Sequence, residues 1–311
     1  MLRGTRTDYG LCLRAALRSS LHARMTAQSI DGKTIAASRQ RDIAGQVANL
    51  AASGYRPPGL ALILVGDNPA SRIYVRNKIR LTRDVGMKSF DHLLPATTSE
   101  AELLSLIDRL NRDDAVDGIL VQLPLPPAIE TTTILSAVDP AKDVDGFHPL
   151  NAGRLAAGQP GLVPCTPRGC LALIQTVEPR LAGLHAIVVG RSNIVGKPMA
   201  QLLLQQNCTV TIAHSHTRNL PALCRQGDIL LAAIGRPGML GAEHVAPGAI
   251  VVDVGINRLP TGQLTGDVRT QEVLCIARAI TPVPGGVGPM TIAYLLQNTL
   301  DAYKVRVRPS G

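Results

Sequence analysis

The feature that most constrains this chain is a series of short, wholly apolar runs separated by stretches with helical periodicity. The runs are LALILV (60–65), GILVQLP (118–124), AIVVG (186–190), TVTIA (209–213), DILLAA (228–233) and AIVVDVG (249–255), with a shorter one near 277–281. A strand that is apolar throughout must be covered on both faces, and successive runs are far enough apart to hold a crossover helix. The pattern therefore specifies an α/β fold built on parallel sheet. Helices are expected over 35–53, 69–86, 166–178, 197–206 and 289–304.

A chain of 311 residues is long enough for about two domains. Residues 146–165 are rich in Gly and Pro, lack a strong period and read as the boundary. The division expected is a substrate and catalytic domain over 25–150, completed by the C-terminal helix 289–304, and a doubly wound, Rossmann-type nucleotide-binding domain over 151–284. Two chain crossings would join them, and the cleft between them is the natural place for a ligand.

Composition removes several classes of function. Aromatic residues make up 2% of the chain and Trp is absent, so there is little from which to build a base-stacking platform for nucleic acid. No run approaches the ~18 apolar residues of a membrane span. The formal charge is +9, but no dense Lys/Arg run accompanies it, which suits an anionic small molecule. Six cysteines are scattered without metal-like spacing, as in a reduced setting, and no metal site is expected.

Residues 1–24 hold Arg3, Arg6, Arg14, Arg18 and Arg24 against Asp8 alone. That composition matches a mitochondrial transit peptide. The competing reading starts the protein effectively near Met25, with residues 1–24 a disordered extension and the protein cytoplasmic. The excess of Arg over Lys suits a GC-rich bacterial coding sequence and favours the second reading.

The segment AIVVGRSNIVGKPMAQLLLQQ is a buried strand running through Gly190, Ser192 and Gly196 into a helix. Small residues there let backbone N–H groups approach a pyrophosphate at the helix N-terminus. The spacing is G-x-S-x-x-x-G, not G-x-G-x-x-G, so context rather than the motif carries the reading. An NAD site places an acid about 20 residues on, yet no Asp or Glu occurs between Glu178 and Asp228. His214, Ser215, His216, Thr217 and Arg218, with Arg191, suit a 2′-phosphate instead, so NADP is expected. The two histidines read as a polar strand end, since no further metal ligands accompany them.

Tyr74 and Lys78 lie four apart on one helix face. Such a pair alone is most often surface, and it precedes the cofactor turn, which excludes the short-chain dehydrogenase arrangement. Gln122 is a polar amide in an apolar strand and requires a partner. Asp143 and Asp145 occupy a turn, where capping competes with catalysis as their purpose. Gly285, Gly286 and Gly288 form a stiff loop entering the last helix.

YVRNK, VQLPLP, KDVDGFHPLNAGRL, PCTPRGC, GRSNIVGKPMA, DVGIN and TPVPGGVGPMT, in this order, resemble the bifunctional methylenetetrahydrofolate dehydrogenase/methenyltetrahydrofolate cyclohydrolase (FolD) family from about Ser29 to Lys304. The resemblance implies two α/β domains around a cleft, NADP as cofactor and tetrahydrofolate one-carbon substrates. It also implies a homodimer and a product of the kind purine synthesis consumes. By the matching motifs, Lys78 is the catalytic acid or base, Tyr74 lies against the folate ring, and Gln122 sets the protonation of Lys78. Asp145 holds the pterin. Val121, Leu123, Gly285 and Gly286 complete the substrate side. Gly190, Arg191, Ser192, Gly196, Ser215 and Ile256 fall to the cofactor, while Phe147, His148 and Pro149 receive no role. A shikimate-dehydrogenase-like oxidoreductase shares the general plan but has no need of VQLPLP or PGGVGPMT. A non-enzymatic NADP-binding regulator would have no need of Lys78, Gln122 and Asp145.

Overall fold

The structure, a computed structural model, describes residues 26–307. The two readings of residues 1–24 therefore lie outside it. In chain order, β1 (Gln28–Ser29) leads into α1 (Gly32–Ala52), then β2 (Gly59–Val65), α2 (Pro69–Asp84), β3 (Lys88–Leu94), α3 (Glu100–Arg112) and β4 (Gly118–Val121). Next come α4 (Thr131–Ala137), α5 (Pro149–Ala156), α6 (Cys165–Val177), β5 (His185–Val189), α7 (Gly196–Gln205), β6 (Thr209–Ala213) and α8 (Leu220–Cys224). The chain closes with β7 (Ile229–Ala232), β8 (Ile250–Asp253), β9 (Asn257–Arg258), β10 (Leu264–Thr265), α9 (Thr270–Val273), β11 (Ala279–Ile280) and α10 (Val287–Arg306).

Two parallel sheets result. A three-stranded sheet has the order β3-β2-β4, and a six-stranded sheet has the order β1-β11-β8-β7-β5-β6. β2 and β4 are buried along their whole length, as are β7 and β8, which is what helices on both faces of a parallel sheet require. β1 departs from the expected division: it pairs with β11, so residues 28–29 sit in the sheet of the second unit although they precede the first.

Several elements were not predicted. β3 is an edge strand whose residues are mostly half-buried, so it lacks an apolar run. α3 opens on a capping box in which Ser99 and Glu102 serve each other's orphan N–H groups. α5 lies inside the segment read as aperiodic. His148 caps it, with Nδ1 accepting the N–H of Leu150 at 3.0 Å, and Pro149 opens the first turn.

The last helix holds the halves together. α10 has 13 buried residues, the polar Gln297, Asn298 and Thr299 among them, as expected of a helix enclosed on most sides. It packs against α6 and α1 and touches β2 and β4. One continuous apolar cluster runs from Leu60, Leu62 and Leu120 of the small sheet through Cys170, Leu173, Met290 and Leu295 to Val188, Leu231 and Val252 of the large one. At the far end of α10, Arg306 reaches Asp117, which is fully buried and also takes Arg56 at 2.6 Å and the N–H of Gly59 at 2.8 Å.

Among the described residues no helix is long and apolar enough to cross a membrane. Cys165, Cys170, Cys208, Cys224 and Cys275 are all free thiols.

Removing a buried carboxylate that serves two guanidinium groups leaves both short of a partner. Asp117→Ala is expected to destabilise the fold by about 3 kcal/mol in urea unfolding. A loss below about 1 kcal/mol would class the cluster with surface pairs.

Candidate active site

α2 presents Tyr74 and Lys78 on the side facing β4 and the 143–147 turn. Lys78 is 4% exposed, and its Nζ donates to Gln122 Oε1 at 3.1 Å. Gln122 follows directly on β4, where the proline-rich segment begins. Its amide cannot turn over freely, because Nε2 donates to the carbonyl of Leu123 at 2.7 Å. The oxygen therefore faces Lys78. The Tyr74 ring lies under the same ammonium, 4.7 Å from centroid to Nζ.

The two acids of KDVDG part company. Asp143 is buried and accepts the N–H groups of Phe147 and His148 at 3.2 and 2.8 Å, and the Asn151 amide at 2.9 Å. It builds the turn. Asp145 faces Lys78 and Cys165, and its charge is governed by burial, then Lys78, then the neighbouring Asp143 carboxylate and a hydrogen bond with Cys165. Cys165 opens α6, and its thiol donates to the Val144 carbonyl at 3.1 Å. Asn298 of α10 is fully buried and its Nδ2 donates to the carbonyls of Val144 and Val163, both at 2.8 Å. That amide fixes the backbone on either side of the site.

Burial is the first influence on every ionisable group here. It lowers Lys78, against the pull of Asp145 and Cys165. It pushes the Asp145 carboxyl up to about 6, although Lys78 draws it down. The Tyr74 phenol and Cys165 thiol are both raised, so they stay protonated near neutrality. Lys78 and Asp145 are left as a facing pair whose pKa values burial moves toward each other, the base down and the acid up, the arrangement expected of a site that moves protons.

A cavity of about 620 Å³ opens beside this cluster between the two sheets. Tyr74 and Asn77 line it from α2, Lys33 and Gln40 from α1, and Gly255, Ile256 and Gly285 to Gly288 from the other side. Lys78 adjoins this volume through Tyr74, whose ring it contacts and which lines it, with Gln122 and Asp145 grouped around the Lys78 amine. Gly286 is where the backbone comes closest. A Cβ there would fall 2.7 Å from the Pro282 carbonyl oxygen, and one on Gly32 would fall 1.9 Å from the Gly286 oxygen. This wall of the cleft is thus set by contact between α1 and the Gly loop. Val121 is not brought to the cleft: its side chain packs with Ile63, Ile107 and Ile119 in the core under α3. Leu123 is half-buried beside Gln122.

The second cavity, about 360 Å³, lies at the ends of β5, β6 and β7. It gathers Gly190, Arg191, Ser192, His214 and Ser215, as the sequence suggested, and adds Arg236. None of its lining residues is acidic. Gly190 has φ +128°, and a Cβ there would lie 2.1 Å from the Ala233 oxygen; one on Gly196 would lie 2.2 Å from the Gly190 oxygen. The Ser192 hydroxyl accepts the N–H groups of Val195 and Gly196 at 3.1 and 3.3 Å, shaping the turn at the start of α7. A tight turn against a helix N-terminus, with two arginines and no carboxylate, fits a phosphorylated dinucleotide. His214 serves the local turn, its Nδ1 accepting the N–H of His216 at 3.2 Å.

Thr166 and Thr291, which hydrogen-bond each other at 3.0 Å, were missed by sequence reasoning. Thr291 also meets the Tyr74 phenol. Both stand within quoted motifs, PCTPRGC and PGGVGPMT, yet neither has a local signature. Their partnership exists only once α6 and α10 pack.

The profile of the tetrahydrofolate dehydrogenase/cyclohydrolase catalytic domain matches residues 30–145, and that of the NAD(P)-binding domain of the same family matches residues 164–307. The chain is 57% identical over 282 residues to the bifunctional protein FolD of Afipia carboxidovorans, covering 89% of this chain and 96% of that protein. It is 56% identical over 289 residues to bifunctional protein FolD 1 of Pseudomonas putida, covering 91% and 99%. The crystal structure of the bifunctional FolD enzyme from Campylobacter jejuni superposes with a TM-score of 0.88 at 46% identity, over 90% of this chain and all (100%) of that one. The Trypanosoma brucei dehydrogenase-cyclohydrolase, solved with NADP cofactor and inhibitor, also gives 0.88, at 37% identity over 91% and 99%.

If Asp145 anchors substrate as an ionised carboxylate, its raised pKa sets an acid limb. Above about 6 the group is charged, and as pH falls through that value it becomes neutral. The cyclohydrolase kcat/KM is expected to fall below about pH 6, and Asp145→Asn to lack that limb. An identical acid limb in both proteins would remove Asp145 from the titration.

Proposed function

This chain belongs to the tetrahydrofolate dehydrogenase/cyclohydrolase family, and from that premise we propose which of its residues carry the chemistry. The protein oxidises 5,10-methylenetetrahydrofolate to the methenyl form with NADP and hydrolyses that product to 10-formyltetrahydrofolate. Its membership sets aside the shikimate-type and regulator readings.

The observation that carries the residue assignment is the Lys78 amine, buried and held by Gln122 at 3.1 Å beside Asp145 and over Tyr74. NADP, when bound, supplies the acceptor for a hydride. The first reaction needs no base: the substrate nitrogens stabilise the cation that forms, so the protein contributes alignment and a dry site. Tyr74 stacks the folate ring, Asp145 accepts from the pterin, and the Gly285–Gly288 loop with Ile256 closes the other side. In the second reaction water adds to the cation, and Lys78 takes and returns protons at Nζ as the ring opens. Burial lowers its affinity for a proton, and the Gln122 oxygen keeps the nitrogen aimed. Both steps act on one carbon, so one cleft serves both.

The cofactor would lie along the large sheet. Gly190, Ser192 and Gly196 would receive the phosphates at the turn before α7, and Arg191, Ser215 and the newly found Arg236 would hold the 2′-phosphate. Leu123 supports substrate through its backbone carbonyl, which already orients Gln122. The small sheet with α10 is the acid–base unit and the large sheet the cofactor unit. Among the described residues β6 pairs only with β5, and Ile212 and Leu204 are exposed near this edge. That free edge supports a homodimer formed through β6. The bacterial relatives support a cytoplasmic setting.

Lys78→Met is expected to lower the cyclohydrolase rate by about 10²–10⁴-fold while NADP binding persists, read from methenyltetrahydrofolate absorbance and from cofactor fluorescence. A cyclohydrolase rate equal to that of the unaltered protein would refute the role of Lys78.

A further inference from the structure

Two buried carboxylates that take no part in the acid–base cluster organise both loops of the cofactor side. Asp253 ends β8. The β9–β10 hairpin then carries the chain out and back, so that Asp267 returns against the ends of β7 and β8. Asp267 is fully buried. Its Oδ2 accepts the N–H groups of Ile234 and Gly235 at 2.7 and 2.9 Å, and its Oδ1 accepts those of Arg236 and the Asn257 side chain, both at 2.9 Å. Asp253 in turn accepts the N–H groups of Gly255, Asp267 and Val268 at 2.9–3.0 Å. All seven donors are uncharged: six backbone N–H groups and one amide. Hydrogen bonds to a charged acceptor are individually strong, and five of the seven donors fall on two short loops, at 234–236 and 255–257, while the N–H groups of Asp267 and Val268 join the two carboxylate segments.

Those loops line different cavities. Ile234 and Arg236, after β7, line the cavity of Gly190, Arg191 and Ser215. Gly255 and Ile256, after β8, line the inter-domain cleft opposite Tyr74. The packing on the carboxylates leaves no slack. A Cβ on Gly255 would lie 2.3 Å from Asp267 Oδ1, and one on Gly266 would lie 1.9 Å from Asp253 Oδ2. In a parallel sheet, ligands bind outside the carboxyl ends of the strands, which is where both loops emerge.

We propose that Asp267 is a positioning residue for NADP: one carboxylate fixes the loop at the 2′-phosphate end and the loop at the hydride end of the cofactor path in a single frame. The proposal rests on the cofactor placement given above. It separates the two activities, because hydrolysis of methenyltetrahydrofolate consumes no NADP and its acid–base groups, Lys78, Gln122 and Asp145, stand on the opposite wall of the cleft. A purely structural Asp267 would damage both activities together.

The test is Asp267→Asn in the full chain, which keeps shape but loses charge and turns one acceptor into a donor facing N–H groups. The KM for NADP is expected to rise by about tenfold, with cyclohydrolase activity on methenyltetrahydrofolate, assayed without NADP, unchanged. A parallel loss of both activities, or an unchanged KM for NADP, overturns the proposal. Should Asp267→Asn fail to fold, Asn257→Ala decides: it removes one donor and leaves the carboxylate, and a KM for NADP raised by about threefold supports the frame while an unchanged one overturns it. Arg191→Ala is measured alongside. If it leaves the KM for NADP unchanged, the cofactor placement has failed; if it raises that KM and Asp267→Asn does not, the placement stands and the proposal falls.

Discussion

Taking one ammonium out of water is the constraint around which the first half of this molecule is organised. Burial of Lys78 disfavours its charge, and within α2 only the Tyr74 ring, one turn earlier, offsets this. The rest of the compensation comes from elsewhere in the chain: Gln122 after β4 and Asp145 within the 143–147 turn. None of these would meet without the close stacking of α10 and α6 against the small sheet. Asn298 makes that dependence concrete, since its one amide donates to the backbone beside Asp145 and to the backbone before Cys165.

The same helix pair governs the distance between chemistry and cofactor. The apolar cluster crosses from one sheet to the other without a break, and dense packing transmits position faithfully. The cleft is bounded on one side by α1 and α2 and on the other by loops that carboxylates, not cations, hold in place. The two regions thus follow opposite electrostatic rules. Around Lys78, charges are few and desolvated, so protons can move. Around Gly190 the surface is basic and open, so a polyanion can be held without any change of protonation.

Much of this was legible in the sequence, for physical reasons that differ by element. β2, β7 and β8 are buried on both faces and so advertise themselves as apolar runs. Tyr74 and Lys78 could be placed on one face because helical spacing is local. Gln122 stood out because an amide in such a run has to be partnered, and the partner is Lys78. β3 was hidden because an edge strand bearing Lys88, Asp91 and His92 carries no apolar run. β1 was hidden because its two residues acquire meaning only against β11, some 250 positions away in the chain. Val121 shows the limit of motif transfer: alternation along β4 sends Leu120 into the shared core and Val121 under α3, so its side chain cannot serve the cleft. Asp143 and Asp145 were indistinguishable by spacing, and only the N–H groups of Phe147 and His148 assign the first to the turn.

The central claim is that the Lys78 amine sits in a desolvated, partnered pocket and holds its proton less tightly than an ordinary lysine. The chain has six lysines, few enough for their side-chain nitrogens to be followed individually by NMR with labelled lysine, and Lys78→Arg identifies the signal. The account predicts a Lys78 titration clearly below the ordinary value of 10.5, moving upward when the pocket is opened to water by Tyr74→Ala. A Lys78 signal titrating at 10.5 in the unaltered protein would contradict it.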